Sequence, residues 1–251
     1  MRALILAAGR GKRLRPYTDV VPKPLLVVAE GDATHPPVRL IDWQIAAACR
    51  AGVERIVVNT AHLADAFEPL PAELAARGVN MAISREGDCA DDALESLGGI
   101  VKALPLLAPA DDPRLCDEPF FVLAGDVVHA FDLRRFDAAA EAMRAGRIDA
   151  HLVAVPNPDF HAAGDMTVAA DGTIVPGPGP HTYGCLMLAS PRIFRPLRPE
   201  PAKLFPWLWD LARSGRVTAE VYTGFWDNVG SPREYERLKA DAAALAWARY
   251  Y

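Results

Sequence analysis

Residues 6–16 read LAAGRGKRLRP and continue an apolar run, residues 3–7, that has the length of a buried strand. Gly9 and Gly11 allow backbone N–H groups to approach an anion closely. Ligands of open α/β sheets bind outside the carboxyl ends of strands, which is where this stretch lies. The cations in and after it are Arg10, Lys12, Arg13, Arg15 and Lys23. Only Asp19 opposes them over that span, so we predict a polyphosphate site.

Two other nucleotide-binding loops do not fit this stretch. The P-loop pattern G-x-x-x-x-G-K-[ST] is absent. Leu14 stands at the third glycine position of the dinucleotide fingerprint, and no acidic residue about 20 residues further on ends a second strand. The pattern therefore argues against a P-loop NTPase and a nicotinamide dehydrogenase. A glycine-containing turn with a solvated basic face is the alternative that G-x-G alone leaves open.

The rest of the chain predicts an α/β sheet. Apolar runs of strand length alternate with Ala-rich segments of helical period, and Gly52 and Gly146 are placed to end two helices. Asp171-Gly172 predicts a hairpin, which we place over one edge of the sheet, and Ser231 starts a capped C-terminal helix. The predicted strands are residues 3–7, 55–59, 80–84, 119–123, 150–155, 166–168, 173–175 and 182–188, and the predicted helices are 40–51, 136–145 and 232–248.

Charge and composition narrow the class of protein. A net charge of −5 over 251 residues argues against a general affinity for nucleic acid, which needs a basic face. No apolar run reaches the roughly 18 residues that span a membrane, and the N-terminus lacks the pattern of a cleaved signal peptide. The four cysteines have no C-x-x-C spacing, which argues against a zinc site or a disulfide framework. We expect a soluble cytoplasmic protein with no nucleic-acid or membrane partner.

The phosphate-loop sequence continues with Tyr17-Thr18, and Pro22-Lys23-Pro24-Leu25 follows. Together these segments resemble the signature of the sugar-1-phosphate nucleotidyltransferases. The resemblance implies a three-layer, Rossmann-like (GT-A-like) nucleotidyltransferase fold with a mixed, mostly parallel sheet, and Mg²⁺ as cofactor. It implies one domain, 1–251, with a mainly nucleotide-binding part (1–155), a mainly sugar-binding part (156–230) and a C-terminal helix (231–251).

The family resemblance also assigns residues to the nucleotide. Arg13 would hold the β and γ phosphates, and Lys23 would hold the α phosphate and the incoming sugar phosphate. With Asp126, these form the implied catalytic set. Glycine at positions 98 and 99, near the start of a helix, permits backbone contact with a base or its phosphates, and a helix start without a ligand is the alternative. The implied nucleotide-binding residues are Ala8, Gly9, Arg10, Gly11, Lys12, Arg13, Lys23, Glu95 and Gly99.

Two segments predict a magnesium site. Asp126 follows an apolar strand and resembles the family's main metal ligand, although Gly-Asp after a strand is also a common turn. The segment Trp226 to Pro232 is similar to the family's W-x-D-x-G-T-P ending, but Asn228 occupies the carboxylate position and Asp227 precedes it. Because side chains alternate along a strand, these two should face opposite sides. We predict Asn228 as the second ligand and Asp227 as exposed or structural.

Later segments extend the resemblance, namely residues 93–107, Asn157-Pro158, His161, Gly164-Asp165 and Tyr183-Gly184. With them, nearly the whole chain is similar to the bacterial N-acetylmuramate-1-phosphate uridylyltransferases of cell-wall recycling. The implied sugar-binding residues are Asn157, His161, Asp165, Tyr183, Gly184 and Lys203. Structural alternatives remain for three of them, because His161 suits a surface hydrogen bond, Tyr183 the core, and Lys203 solvent. We read Phe205, Trp207 and Trp209 as packing residues. The segment 30–37 is interpreted as a surface insertion, in which His35 has no catalytic role.

The resemblance implies UMP transfer from UTP to a sugar 1-phosphate, with N-acetylmuramate 1-phosphate as the preferred acceptor, by a monomer or small homo-oligomer. Thymidylyl, guanylyl or cytidylyl transfer to another sugar or alkyl phosphate is the nearest alternative. An inactive regulatory domain that binds nucleotide sugars is the alternative from another class, and the neutral Asn228 is the residue that favours it.

Overall fold

The computed structural model describes residues 1–32 and 36–241. Their helices are α1 (Asp42–Arg50), α2 (Leu70–Ala75), α3 (Glu95–Leu107), α4 (Asp137–Arg144), α5 (Leu204–Arg213) and α6 (Pro232–Lys239). Their strands are β1 (Ala3–Leu6), β2 (Val27–Ala29), β3 (Val38–Arg39), β4 (Ile56–Thr60), β5 (Met81–Arg85), β6 (Phe120–Ala124), β7 (Val127–His129), β8 (Ala150–Pro156), β9 (Met166–Val168), β10 (Ile174–Pro176), β11 (His181–Ala189), β12 (Val217–Val221) and β13 (Trp226–Asn228).

The central sheet is mixed, as predicted. Its order runs β10-β9-β11-β6-β1-β4-β5, and β8 pairs with both β11 and β12. Strands β6, β1, β4 and β5 are parallel neighbours, whereas β11 runs antiparallel to both β6 and β8. Leu6 lies opposite Asn59 on one side and Ala124 on the other. This register brings the carboxyl ends of three central strands to one edge of the sheet.

Helices cover both faces of this sheet because alternate strand residues point to opposite sides. Ile5 belongs to a buried cluster with residues of α1, α2 and α4. Leu4 belongs to a second cluster with residues of α3 and α5. The predicted helix ends are confirmed at Gly52 and Gly146, which have φ values of +69° and +72°. The result is the predicted three-layer α/β architecture.

The predicted hairpin is confirmed as β9 and β10, which pair antiparallel at one end of the sheet. Gly172 in its turn has a φ of +84°, and the Thr173 N–H donates to Asp171 Oδ1 at 2.9 Å. The hairpin joins the sheet through β11, where Met166 lies opposite His181. It therefore extends the sheet at the edge remote from β5.

A smaller layer packs beside the main sheet. It contains the two-stranded ladders β2–β3 and β7–β13 together with α6. Trp43, Val128, Val229 and Tyr235 are among the members of its buried cluster. The segment 30–37 lies between β2 and β3, and its residues 33–35, including His35, lie outside the described residues.

The C-terminal helix begins where predicted. Ser231 caps α6 by accepting from the Glu234 N–H at 3.4 Å, and Glu234 Oε2 accepts from the Gly230 N–H at 2.7 Å. α6 ends at Lys239, before the predicted end at residue 248, and residues 242–251 lie outside the described residues. The Asp241 N–H returns to the Leu238 carbonyl in a tightened last turn. Within residues 1–32 and 36–241, no helix is both long and apolar enough to span a membrane.

Candidate active site

A cleft of about 590 Å³ opens at the carboxyl ends of β1, β4 and β6. The predicted phosphate loop forms one wall, and the segment from Ala90 to Ser96 lies on the other. The lining residues are Leu6, Ala7, Ala8, Gly9, Arg10, Gly11, Lys12, Arg13, Lys23, Pro24, Asn59, Ala90, Ala93, Glu95, Ser96, Ala124, Asp126 and Gly230. The cleft thus brings together most of the nucleotide-binding residues that the sequence predicts.

The phosphate loop needs glycine at position 11. Gly11 has a φ of +61°, and a Cβ there would lie 2.8 Å from Thr18 Cγ2. Its carbonyl accepts from the Thr18 hydroxyl at 3.0 Å and from the Leu14 N–H at 2.8 Å. His62 Nε2 lies 3.0 Å from the Thr18 carbonyl and supports this turn from behind. The loop therefore has a defined shape that depends on Thr18, which the sequence pattern did not single out.

Four predicted cations line the cleft, namely Arg10, Lys12, Arg13 and Lys23. Arg10 forms an ion pair with Asp91, which belongs to the segment between β5 and α3. Arg13 lies against Gly230, since a Cβ on that glycine would be 3.2 Å from Arg13 Nη2. Arg15 is not among the lining residues. The positive charge of the sequence motif is thus concentrated on the ligand side of the loop.

Lys23 and Asp126 meet inside the cleft. Lys23 Nζ lies 2.6 Å from Asp126 Oδ2, and the lysine side chain is 9% exposed against 32% for the aspartate. Burying an ammonium group is costly unless it is paired and hydrogen-bonded, so the carboxylate stabilises the lysine where it lies. The ion pair joins the Pro22-Lys23-Pro24-Leu25 segment to the residues that follow β6.

Asn228 and Asp227 face different surroundings. Asp227 forms an ion pair with Arg237 of α6. Asn228 Oδ1 is buried and has no hydrogen-bond partner among the described residues. In the β7–β13 ladder, Asn228 lies opposite Val127, and the N–H of Val229, immediately after β13, donates to the Asp126 carbonyl at 3.1 Å. Asn228 does not itself line the cleft, but its backbone lies beside that of Asp126.

The paired glycines of α3 have a packing reason that the sequence did not reveal. A Cβ on Gly98 would lie 2.1 Å from the Glu200 carbonyl oxygen. A Cβ on Gly99 would lie 2.4 Å from Glu86 Oε1 and 2.6 Å from Asn59 Nδ2. Both glycines are buried, whereas Glu95, at the exposed start of the helix, lines the cleft. Close packing accounts for these glycines, and contact of Gly99 with a nucleotide stays a prediction.

The predicted sugar residues lie apart from the cleft lining, around the base of the hairpin. Asn157 is fully hydrogen-bonded there: its Nδ2 donates to the carbonyls of Ala162 and Gly179 at 3.1 and 2.7 Å, and its Oδ1 accepts from the Thr182 hydroxyl at 2.9 Å. A Cβ on Gly164 would collide with this amide. Asn157 therefore shapes the loop that carries the other predicted sugar residues.

His161, Asp165 and Tyr183 form one hydrogen-bonded group. His161 Nε2 lies 2.9 Å from Asp165 Oδ1, and Asp165 Oδ2 accepts from the Tyr183 N–H at 2.9 Å. Burial raises the pKa of the Tyr183 hydroxyl well above its usual range. The Tyr183 ring packs edge-on against Phe205, with centroids 5.3 Å apart, and Phe205 in turn packs near Trp209. The aromatic cluster thus has the predicted packing role.

Gly184 and Lys203 occupy the two sides of this region. Gly184 is buried in β11, and its carbonyl accepts from Trp226 Nε1 at 2.9 Å. Lys203 is exposed immediately before α5, where the Leu204 N–H donates to Ser96 Oγ at 2.8 Å. Because Ser96 lines the cleft, the start of α5 is tied to the cleft wall.

Cys185 lies between the two groups of predicted residues, although no sequence pattern pointed to it. Its φ is +60°, at an irregularity of β11 between Tyr183 and Met187. Burial raises the pKa of its thiol to about 12, and the nearby charges of Asp126 and Asp165 act in the same direction. The thiol therefore lies near a carboxylate from the cleft and a carboxylate from the hairpin base.

Comparisons with known proteins identify the family of the chain. The family model for nucleotidyl transferases matches residues 2–175. The N-acetylmuramate alpha-1-phosphate uridylyltransferases of Neisseria meningitidis and Caulobacter vibrioides are 37% and 33% identical to the chain; the alignments cover 98% and 96% of it, and 100% and 95% of those proteins. A solved Bacillus anthracis structure, named for glucose-1-phosphate thymidylyl transfer, has a TM-score of 0.74 at 17% identity, covering 96% of this chain and 94% of its own. The chain belongs to the nucleotidyl transferase family.

Proposed function

We propose that this chain transfers UMP from UTP to N-acetylmuramate 1-phosphate and releases pyrophosphate. The observation that carries the proposal is the convergence of the phosphate loop, Lys23 and Asp126 in one cleft. The identity to two uridylyltransferases along nearly the whole chain supports the choice of nucleotide and sugar. In this assignment the enzyme acts in peptidoglycan recycling, and we place it in the cytoplasm, where UTP is available.

The residues of the cleft suit direct attack of the sugar phosphate on the α phosphorus. The nucleophile is already ionised at neutral pH, so no general base is required. Fixed positive charge around the non-bridging oxygens is the main assistance that such a reaction needs. Lys23 stabilises the pentacoordinate phosphorus, and Arg13 stabilises the departing pyrophosphate. The backbone from Ala8 to Gly11, with Arg10 and Lys12 beside it, holds the nucleotide.

Asp126 and Asn228 are the residues that would hold a divalent cation. No group of three or more His, Cys, Asp or Glu suited to a metal occurs in the described ranges 1–32 and 36–241. Magnesium commonly takes only one or two protein oxygens and completes its shell with phosphate oxygens and water. The orphaned Asn228 Oδ1 fits this role, because a buried amide oxygen is costly without a partner. When bound, the cation would neutralise charge on the phosphates.

We place the sugar acceptor at the base of the hairpin. His161, Asp165, Tyr183 and Lys203 would contact it, while Asn157 and Gly184 shape the surrounding backbone. Glu95 and Gly99 are placed near the uracil. In this proposal residues 1–155 mainly bind the nucleotide, 156–230 mainly bind the sugar, and one domain carries both.

The experiment is pyrophosphate release in magnesium buffer. It crosses UTP, dTTP, GTP, CTP and ATP with the 1-phosphates of N-acetylmuramate, N-acetylglucosamine, glucose and mannose. We expect turnover only with UTP and N-acetylmuramate 1-phosphate. Turnover with another pair would support the proposed mechanism but change the nucleotide or sugar assigned to the enzyme. If no pair gives pyrophosphate release and the protein binds a nucleotide sugar tightly, the chain is a regulatory binding domain and not an enzyme.

A further inference from the structure

A buried hydrogen-bonded pair lies behind the cleft. Asn59, near the carboxyl end of β4, is 2% exposed, and Glu86, immediately after β5, is 8% exposed. The Ala7 N–H donates to Asn59 Oδ1 at 2.7 Å, and Asn59 Nδ2 donates to Glu86 Oε1 at 2.5 Å. Ala7 begins the phosphate loop, so one end of this chain of hydrogen bonds fixes the entry to that loop.

The other end of this series of hydrogen bonds fixes the opposite wall of the cleft. Glu86 Oε2 accepts from the Leu94 N–H at 2.7 Å, immediately before α3. The following residue, Glu95, lines the cleft with a φ of +57°, a strained value for a residue with a side chain. Such a conformation persists only where the surroundings determine it. The Leu94 carbonyl is also held, by the Ala202 N–H at 3.0 Å.

The pair has no room to adjust. Gly99 of α3 lies against both side chains, and a Cβ there would be 2.4 Å from Glu86 Oε1 and 2.6 Å from Asn59 Nδ2. Both Glu86 oxygens accept hydrogen bonds, which is the role of an ionised carboxylate. Burial raises the pKa of Glu86, and the hydrogen bonds from Leu94 and Asn59 oppose that effect.

We infer that Asn59 and Glu86 are a positioning pair for the nucleotide, which set the separation between the phosphate loop and the Glu95 turn on the opposite wall. This inference rests on the proposed function, because it concerns how the nucleotide site is held open. A pair with only a structural role would affect folding stability and leave substrate affinities unchanged. A positioning pair affects the KM for the nucleoside triphosphate selectively.

The pattern of donors and acceptors can be tested by exchanging the amide and the carboxylate between positions 59 and 86. Glu86→Gln leaves one amide N–H facing either Asn59 Nδ2 or the Leu94 N–H, both of which are donors. Asn59→Asp places two carboxylates against each other. In the double variant, the new carboxylate at position 59 accepts from Ala7 and from the new amide at position 86, whose oxygen accepts from Leu94. All the hydrogen bonds and the net charge are then restored.

We expect Glu86→Gln to raise the KM for the nucleoside triphosphate about tenfold, equivalent to the loss of one buried hydrogen bond. The kcat and the KM for the sugar phosphate should change by less than about twofold. Asn59→Asp should raise the same KM at least as much, and the double variant should return it to within about threefold of the wild type. The matched control is Arg85→Gln, which removes exposed ion pairs with Asp65, Glu68 and Asp88 at the adjacent position.

The measurements are initial rates with the substrate pair that the wild type uses and thermal unfolding of each variant. If the wild type shows no turnover, the dissociation constant for UTP replaces KM, so failure of the proposed function is seen in the wild type alone. Unchanged KM in folded single variants, or equal changes for both substrates, would overturn the inference. Failure of the double variant to recover nucleotide affinity while it unfolds at the wild-type temperature would also overturn it.

Discussion

Lys23 is a buried cation whose charge is compensated by a residue from another motif. Its Nζ lies 2.6 Å from Asp126 Oδ2 at the bottom of the cleft. An incoming phosphate offers the lysine a second anionic partner, so Lys23 can stabilise substrate charge without moving far. Since the site is preorganised, little reorganisation is needed during the reaction. Arg13, by contrast, is exposed and lies against Gly230 at the rim.

Replacement of Lys23 by alanine should lower kcat/KM by about 10²- to 10³-fold, because it removes a fixed donor at the developing charge. The protein should still fold, since Asp126 is partly exposed and can be hydrated. Initial rates of pyrophosphate release and thermal unfolding measure the two effects. Arg15→Ala is the matched control, because Arg15 pairs with Asp19 and does not line the cleft. Equal losses in both variants would contradict this role of Lys23.

The two residues at the end of β13 should differ in their effect on metal affinity. Asn228→Ala should raise the magnesium concentration for half-maximal rate about tenfold, as expected for loss of one oxygen ligand, whereas Asn228→Asp should preserve or lower it. Asp227→Asn should leave it unchanged and cost at most about 1 kcal/mol of stability, because Asp227 only pairs with the exposed Arg237. The rate measured as a function of magnesium concentration shows which of the two residues binds the metal. Weakened metal response in the Asp227 variant alone would reverse the assignment.

At the level of elements, the long apolar runs were predictable, whereas short strands without a turn or family signal were not. The central strands lie within one residue of their predicted bounds, because periodic burial is a local property of the sequence. The hairpin and the capped start of α6 were also predictable, from turn and capping residues. Strands β3 and β7, which have two and three residues and no turn or family signal, carry too little pattern to be recognised. They exist because tertiary contacts pair them.

Gly98 shows how packing can reverse a propensity. Alanine in place of glycine stabilises an exposed helix by about 1 kcal/mol. Here the new Cβ would lie 2.1 Å from the Glu200 carbonyl oxygen, so the backbone would have to shift. We expect Gly98→Ala to lower the free energy of unfolding by about 1–3 kcal/mol in urea titration. The control Gly52→Ala has open space and only a positive φ to accommodate, which costs about 1–2 kcal/mol. A more stable Gly98 variant would refute the close contact.

At the level of the whole molecule, the candidate site depends on which strands are neighbours. The phosphate loop and Asp126 were predictable, because each follows a strand within one local motif. Asn59 carried a weaker signal, since it lies near the carboxyl end of β4, beside β1. Glu86 carried no local signal, because its importance follows from contacts that only the folded sheet creates.

Two histidines are uncharged at neutral pH because of their surroundings, His129 in the interior and His151 at a partly buried position in β8. His129 is fully buried; its Nδ1 accepts from the Phe131 N–H at 3.1 Å, and its Nε2 lies 3.0 Å from Gln44 Oε1. Burial, assisted by the charge of Arg50, lowers the pKa of His129 to about 3. Burial also lowers the pKa of His151 to about 4. In the unfolded chain both imidazoles have a pKa of about 6.5.

Stability should therefore fall as the pH decreases from about 6.5 towards 4. In that window the unfolded chain binds protons that the folded protein excludes, and each histidine contributes a slope of about 1.4 kcal/mol per pH unit. Above pH 6.5 both contributions are fully present. His151→Asn keeps an acceptor near Thr218, whose hydroxyl lies 2.7 Å from His151 Nδ1, and removes one titrating group. Urea unfolding at intervals from pH 7.5 to 4.5 should give the variant a slope shallower by about one proton below pH 6. Parallel stability curves for the wild type and the variant would mean that His151 binds protons equally in the folded and unfolded protein, which its partly buried position in β8, opposite Thr218 of β12, opposes.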